Sequence, residues 1–188
     1  MRLAGALLGV ALAAAPARAE VAVYRVEPAL TTAQFSVVHL GFIRAHGTFA
    51  QVTGRIALDA AAGSGQVDLD IGTGSVATGW SLRDAFLRGE HMFDSAQHPF
   101  VRFRSTRLVF ADGRLARVDG ELSLRGVTRP VSFEVVALAC GAARHAGRDG
   151  CDAEAAGTIR RRDFDMGFAW PVIDDEVALR FVIGATRE

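Results

Sequence analysis

Apolar and polar residues exchange one for one in segment after segment from Val21 to Arg187. Phe35, Val37 and His39 fall on one side of the first clear run, and Ser36, Val38 and Leu40 on the other. Val67, Leu69 and Ile71 alternate with Gln66, Asp68 and Asp70, and Val101 and Phe103 with Arg102 and Arg104. A period of two gives a ribbon one dry face and one wet face. Many such ribbons with one short helical interruption predict an all-β fold, an antiparallel barrel or sandwich. A closed barrel has an inside, and the inside is where a small apolar ligand goes.

The first nineteen residues stand apart from that pattern. Arg2 supplies a positive start, Leu3 to Ala15 an apolar core, Pro16 a break, and Ala17-Arg18-Ala19 a small-x-small cleavage signal. The apolar stretch is short for a membrane span, which needs about 20 residues. The expectation is a signal peptide over 1–19, cut between Ala19 and Glu20, that exports residues 20–188 as one domain. Loss of Arg2 and Arg18 from the 21 basic residues leaves the mature chain at −2 against its 21 acids. A near-neutral chain has no electrostatic footprint for nucleic acid. The run Arg160-Arg161-Arg162 is followed at once by Asp163 and Asp165, and it reads as solvated strand charge.

The sequence contains no lysine and no asparagine, so Schiff-base chemistry, a P-loop lysine and an N-glycosylation sequon are all excluded. Its two cysteines, Cys140 and Cys151, form an even pair in an exported chain and read as a structural disulfide across a Gly-rich hairpin. A redox pair usually shows C-x-x-C spacing at a helix start, and neither feature is present.

Strands are predicted over 21–27, 32–40, 46–59, 66–76, 100–110, 115–124, 131–139, 153–163 and 176–186. Asp112-Gly113 is a two-residue hairpin signal. Residues 131–139 are expected to pair with 117–125 across the turn RGVTRP. The helical interruption is Trp80 to Arg88, with Ser81 as cap, Asp84 completing a short capping box, and Trp80, Phe86 and Leu87 on its apolar side. Alone it is marginal, so it must pack on one end of the barrel. A weaker helical turn is expected over 90–95.

No catalytic, nucleotide or metal motif is present: G-x-S-x-G, H-E-x-x-H, G-x-x-x-x-G-K and G-x-G-x-x-G are all missing. The chain is therefore read as a non-enzyme without cofactor or metal. His39 and His46 flank a turn at Gly41 and are expected to face each other across a hairpin, but their spacing and that of His91 and His98 are loose for metal ligation. Arg83 and Asp84, adjacent on the helix, point to different faces and anchor it to the rim. Twelve phenylalanines against one tyrosine is a skewed choice. Phe35, Phe49, Phe103, Phe133 and Phe181 stand at inward parity, with Val37 and His39 on the Phe35 face; Trp80, Phe86 and Phe93 lie in or after the helix. These ten are the candidate ligand contacts. The same parity suits a filled core, and an eight-stranded barrel is about the size at which either outcome occurs. For a charged head group the candidates at the mouth are Arg44, Arg83 and Arg88.

The order FSVVHLGFIRAHGTF, G-x-I-x-L-D, S-V-A-T-x-x-x-x-R-D-x-x-L, MFDSAQHPFVRFRST, G-x-L-x-L-R-G-V-T-R-P-V and I-R-R-x-D-F-x-M resembles the YceI-like family across nearly the whole mature chain. Arg83-Asp84, Phe93-Asp94 with Pro99, Phe103 with Ser105-Thr106, and Gly126-Val127-Thr128 with Pro130 carry it most specifically. The resemblance implies a lipocalin-like barrel of about eight strands, exported to the periplasm, that carries polyisoprenoid or a related lipid. It carries over no catalytic residue. Asp165 stands where the family usually has glycine, and Gly89-Glu90 replaces a small polar pair after the helix. Rival readings are a lipid-modifying enzyme built on His39, His46 or Arg83-Asp84, and a structural partner of a membrane cytochrome b561-type protein. Whether the chain forms a homodimer is left open.

Overall fold

The computed structural model describes residues 21–59 and 62–188, so the leader assigned to 1–19 lies outside the described residues. The alternating segments form strands β1 (Ala22–Val26), β2 (Thr32–His39), β3 (Ile43–Phe49), β4 (Val52–Asp59), β5 (Ser64–Gly72) and β6 (Val76–Ala77). Helix α1 (Ser81–Arg88) follows, and then β7 (Phe100–Ala111), β8 (Arg114–Leu124), β9 (Val127–His145), β10 (Arg148–Arg160) and β11 (Ile173–Arg187).

These eleven segments build a closed antiparallel barrel of eight strands. The ring runs β1-β4-β5-β7-β8-β9-β10-β11 and closes where β11 pairs with β1, Val26 facing Ala185. β2 prolongs β1 along the same strand, for Thr32 faces Val182 and His39 faces Ile173 on β11. β3 prolongs β4 in the same manner, and β6 prolongs β5, with Thr48 and Phe49 facing Ala77 and Val76. Three of the eight strands are thus bent in half, which is why the single run expected over 46–59 divides into β3 and β4. Closure leaves the ring no exposed edge to template aggregation.

Buried threonine hydroxyls patch two of the bends. Between β1 and β2 the chain makes a short 3-10 turn at Pro28–Leu30, beginning with a residue that has no N–H to offer a ladder. Thr31, 5% exposed, fills the gap: its Oγ1 accepts from Gly184 N at 3.1 Å and donates to Gly184 O at 3.2 Å. Leu30 sits so close that a Cβ on Gly184 would meet its Cβ at 2.5 Å, so no larger residue fits there. Between β5 and β6, Thr73 is fully buried, its N–H donating to Pro99 O and its hydroxyl to His98 O at 2.8 Å.

The hairpin turns follow local chemistry. Asp112 and Gly113 both have positive φ, +51° and +73°, as the tightest β-hairpin demands. Arg125 and Gly126 form a second such pair, so the turn between β8 and β9 is two residues long and Val127 already faces Leu124. The longer turn expected over RGVTRP is therefore corrected: Pro130 lies inside β9, facing Glu121. Cys140 and Cys151 face each other on β9 and β10 and are joined by a disulfide. Most of the segment between them is ladder, not loop, because β9 continues to His145 and β10 starts at Arg148.

Candidate functional site

The barrel interior is apolar and divided. Phe103, Phe133 and Phe181 meet edge to face across its middle, with ring centroids 5.3 Å and 5.1 Å apart. On the α1 side of this layer lies a cavity of about 200 Å³, walled in part by Phe35, Val37, His39, Phe49, Phe86 and Phe93. On the other side lies a second cavity of about 70 Å³, lined by Phe103 and Phe133 with Ile56, Leu69 and Ile183. Phe181 borders both. The larger space exceeds the roughly 150 Å³ apolar cavity known to stay dry and take up benzene.

Glycine keeps the larger cavity open. Phe35 on β2 faces Gly47 on β3, and its ring lies flat on that bare backbone: a Cβ at Gly47 would come within 2.2 Å of Phe35 Cζ. The ring of Phe35 packs against Phe49 at 5.6 Å, and Phe49 against Phe93 at 5.2 Å. These three aromatic rings form one side of the chamber.

Three segments make its mouth: the β2–β3 turn, α1 with residues 89–98, and the connection from β10 to β11. The clamp on α1 is Thr78. Its N–H donates to Asp84 Oδ1 at 2.8 Å, and its hydroxyl binds the same carboxylate. Arg83 then donates Nε to Thr78 Oγ1 at 2.8 Å and Nη2 to Thr78 O at 2.9 Å. Asp84 is therefore spent on Thr78 and not on a capping box. Trp80 is the N-cap residue, without a side-chain cap bond, and Ser81 is the first helical residue. Leu87 is buried beneath the helix, and Arg125 pins the following segment by donating to Glu90 O at 2.7 Å and to Met92 O. Residues 90–95 form linked turns in place of the expected helical turn.

Arg161 ties down the third segment, and here the solvated-charge reading of Arg160-Arg161-Arg162 is corrected. Arg161 is 3% exposed. It donates Nε to Asp174 O at 2.7 Å, Nη2 to Ile173 O at 2.6 Å, and Nη1 to Phe168 O at 2.9 Å and to Met166 O. Burial lowers its proton affinity below the ordinary arginine value, yet four carbonyl dipoles converge on the cation. Nothing in the sequence marks this arginine off from its two neighbours.

The sequence candidates separate on this frame. Phe35, Val37, His39, Phe49, Phe86, Phe93 and Phe181 line the larger cavity, while Phe103 and Phe133 line the smaller. Trp80 does not line either; it is 57% exposed at the N-cap of α1, with the Arg83 guanidinium over its ring. Of the head-group candidates, Arg83 reaches the cavity wall. Arg44 faces Val38 on the outward parity of β3 and donates to Ser36 Oγ. Arg88, in the last turn of α1, folds back to Val76 O at 3.5 Å. His39 and His46 do not face each other: His39 pairs with Ile43 and points inward, and His46 pairs with Ser36 on the outer face. Burial, then the guanidinium charges of Arg83 and Arg161, hold the His39 proton affinity below that of an ordinary imidazole. His39 and Arg83 converge at one chamber, and the Thr78 hydroxyl that also borders it is held between Asp84 and Arg83.

Residues 24–185 match the YceI-like domain. The chain belongs to the YceI-like family. Protein YceI of Escherichia coli O157:H7 is 34% identical over 134 residues, covering 70% of this chain and 69% of that protein. A UPF0312 protein of Shewanella denitrificans is 37% identical over 102 residues, which is 54% of this chain and 53% of its own length. Among solved structures, Burkholderia cenocepacia BcnA superposes with a TM-score of 0.75 at 21% identity, covering 86% of this chain and 99% of that one. A polyisoprenoid binding domain from Saccharophagus degradans gives 0.63 at 18% identity, over 88% and 98%. This barrel shares the architecture of those solved structures.

Proposed function

We propose that this YceI-like barrel is an exported carrier that holds the tail of a long-chain isoprenoid or related lipid in its larger cavity. The observation that carries the reading is that cavity, about 200 Å³ and walled by aromatic and aliphatic side chains. The Saccharophagus relative, a polyisoprenoid binding domain of the same fold, supports the choice of tail. Burial of a CH₂ group is worth about 0.8 kcal/mol, so a five-carbon prenyl unit contributes roughly 3–4 kcal/mol gross. Association and ordering take back about 4–15 kcal/mol, and a few buried units then suffice. A packed interior would have favoured a purely structural partner of a membrane cytochrome; the cavity favours carriage.

The compartment follows from the leader, with cleavage between Ala19 and Glu20, and the Cys140–Cys151 bridge suits an oxidising periplasm. Mature protein purified from a periplasmic extract should begin at Glu20. Native mass spectrometry should show it taking up farnesol or geranylgeraniol one to one. A chain that stays ligand-free with both compounds would overturn the carrier reading.

A further inference from the structure

The titratable groups around the larger cavity are of one sign. His39, His46, Arg83 and Arg161 border it, and among the described residues no carboxylate does. His46 lies on the outward parity of β3, which leaves His39 from β2, Arg83 from α1 and Arg161 from the turn after β10 as the inward groups. Resting on the carrier reading, we propose that the cargo is an amphiphile with an anionic oxygen head, carboxylate or phosphate, held between Arg83 and His39 with its tail in the cavity.

The geometry of Arg83 is that of a prepared anion site. Thr78 fixes its Nε and Nη2, Asp84 fixes Thr78, and the Trp80 ring lies 5.8 Å from the guanidinium carbon. Its Nη1 has no hydrogen-bond partner among the described residues, and neither does the His39 ring. Arg161 spends its donors on backbone carbonyls, so it adds positive potential without competing for the ligand. The carboxylates nearest this group stand behind it: Asp84 behind Thr78, and Asp174 and Asp175 behind Arg161, with Asp175 paired to Arg162. An apolar chamber strengthens such a field, because little water screens it. A neutral head would leave the field unanswered.

The pairing also predicts a coupled proton. Burial first, and then the charges of Arg83 and Arg161, lower the proton affinity of His39 in the free protein. An anion seated beside it reverses the balance and favours the imidazolium, so binding takes up a proton and tightens as pH falls.

The test compares farnesoic acid with farnesol, which share one tail, on the mature chain by isothermal titration at about pH 7.5 and about pH 6.5. The acid should bind roughly tenfold tighter or better, the scale of one charge-assisted hydrogen bond. Proton uptake, read from buffers of different ionisation enthalpy, should accompany the acid and vanish in His39→Gln. Arg83→Gln should abolish the preference, so that acid and alcohol bind alike, and Arg83→Lys should restore part of it. Farnesyl phosphate in a parallel arm tells phosphate from carboxylate. Equal binding of acid and alcohol, or a preference that survives Arg83→Gln, overturns the anionic-head proposal and leaves the carrier reading standing. Uptake of none of the three ligands overturns both.

Discussion

At the bend between β1 and β2 the hydroxyl of Thr31 stands in for a strand partner, and Gly184 has both its backbone groups on it. Thr31→Val keeps the shape and removes the hydroxyl, leaving a buried N–H unpaired. The expected loss is roughly 1–3 kcal/mol, read from urea unfolding. His39 gives the pH dependence. Its folded proton affinity lies below the ordinary value near pH 6.5, so in the window beneath that value the unfolded chain binds more protons than the folded one. Its contribution to stability is complete above about pH 6.5 and is lost as pH falls through the lowered value. In His39→Gln this part of the pH profile should flatten, with unfolding midpoints at about pH 7.5 and about pH 5.5 drawing together. Asp165 shows a departure from the family absorbed without harm: it has φ +57°, a left-handed position where glycine is at ease and aspartate is tolerated.

At the scale of strands, inward parity was legible because alternation is local. Phe35, Val37 and His39 share a face in any pleated ribbon, and they share it here against Gly47 and Ala45. The flat seat of Phe35 on Gly47 gives a prediction at this scale. Gly47→Ala must push the ring off the wall, and the space beside it is the cavity. Uptake of a prenyl alcohol should fall severalfold in native mass spectrometry, while the far-ultraviolet circular dichroism of the barrel stays unchanged. Unaltered uptake would mean that the ring relaxes elsewhere. The bends were not legible, because nothing local separates Ala50 and Gln51 from a continuing strand; the break appears only when β3 and β4 are seen to face different partners. Helix α1 was expected one residue too long at its start, since Asp84 can serve a capping box or reach back to Thr78, and sequence spacing permits both.

Across the whole molecule, the aromatic layer decides how much tail the barrel can hold. Phe181 separates the two chambers, so Phe181→Ala should join them into one longer channel. The variant should be destabilised by roughly 3–5 kcal/mol and should shift its preference from farnesol toward geranylgeraniol in a competition read by mass spectrometry. An unchanged preference would show that the tail never crosses the layer. The rim of the larger chamber is itself apolar. Phe86 and Phe168 pack there as a tilted pair with ring centroids 5.0 Å apart, and both tryptophans of the chain, Trp80 and Trp170, stand about half exposed beside it. What can be read along the chain is what depends on neighbours in sequence: the pleated pattern, the two-residue turn at Asp112-Gly113, the pairing of two cysteines, and which phenylalanines face inward. The divided interior, the burial of Arg161 among carbonyls and the selection of Arg83 over Arg44 and Arg88 depend on residues far apart in sequence. They came into view with ring closure, because a strand's parity says which way a side chain points and only the opposite wall says whether it meets another side chain or open space.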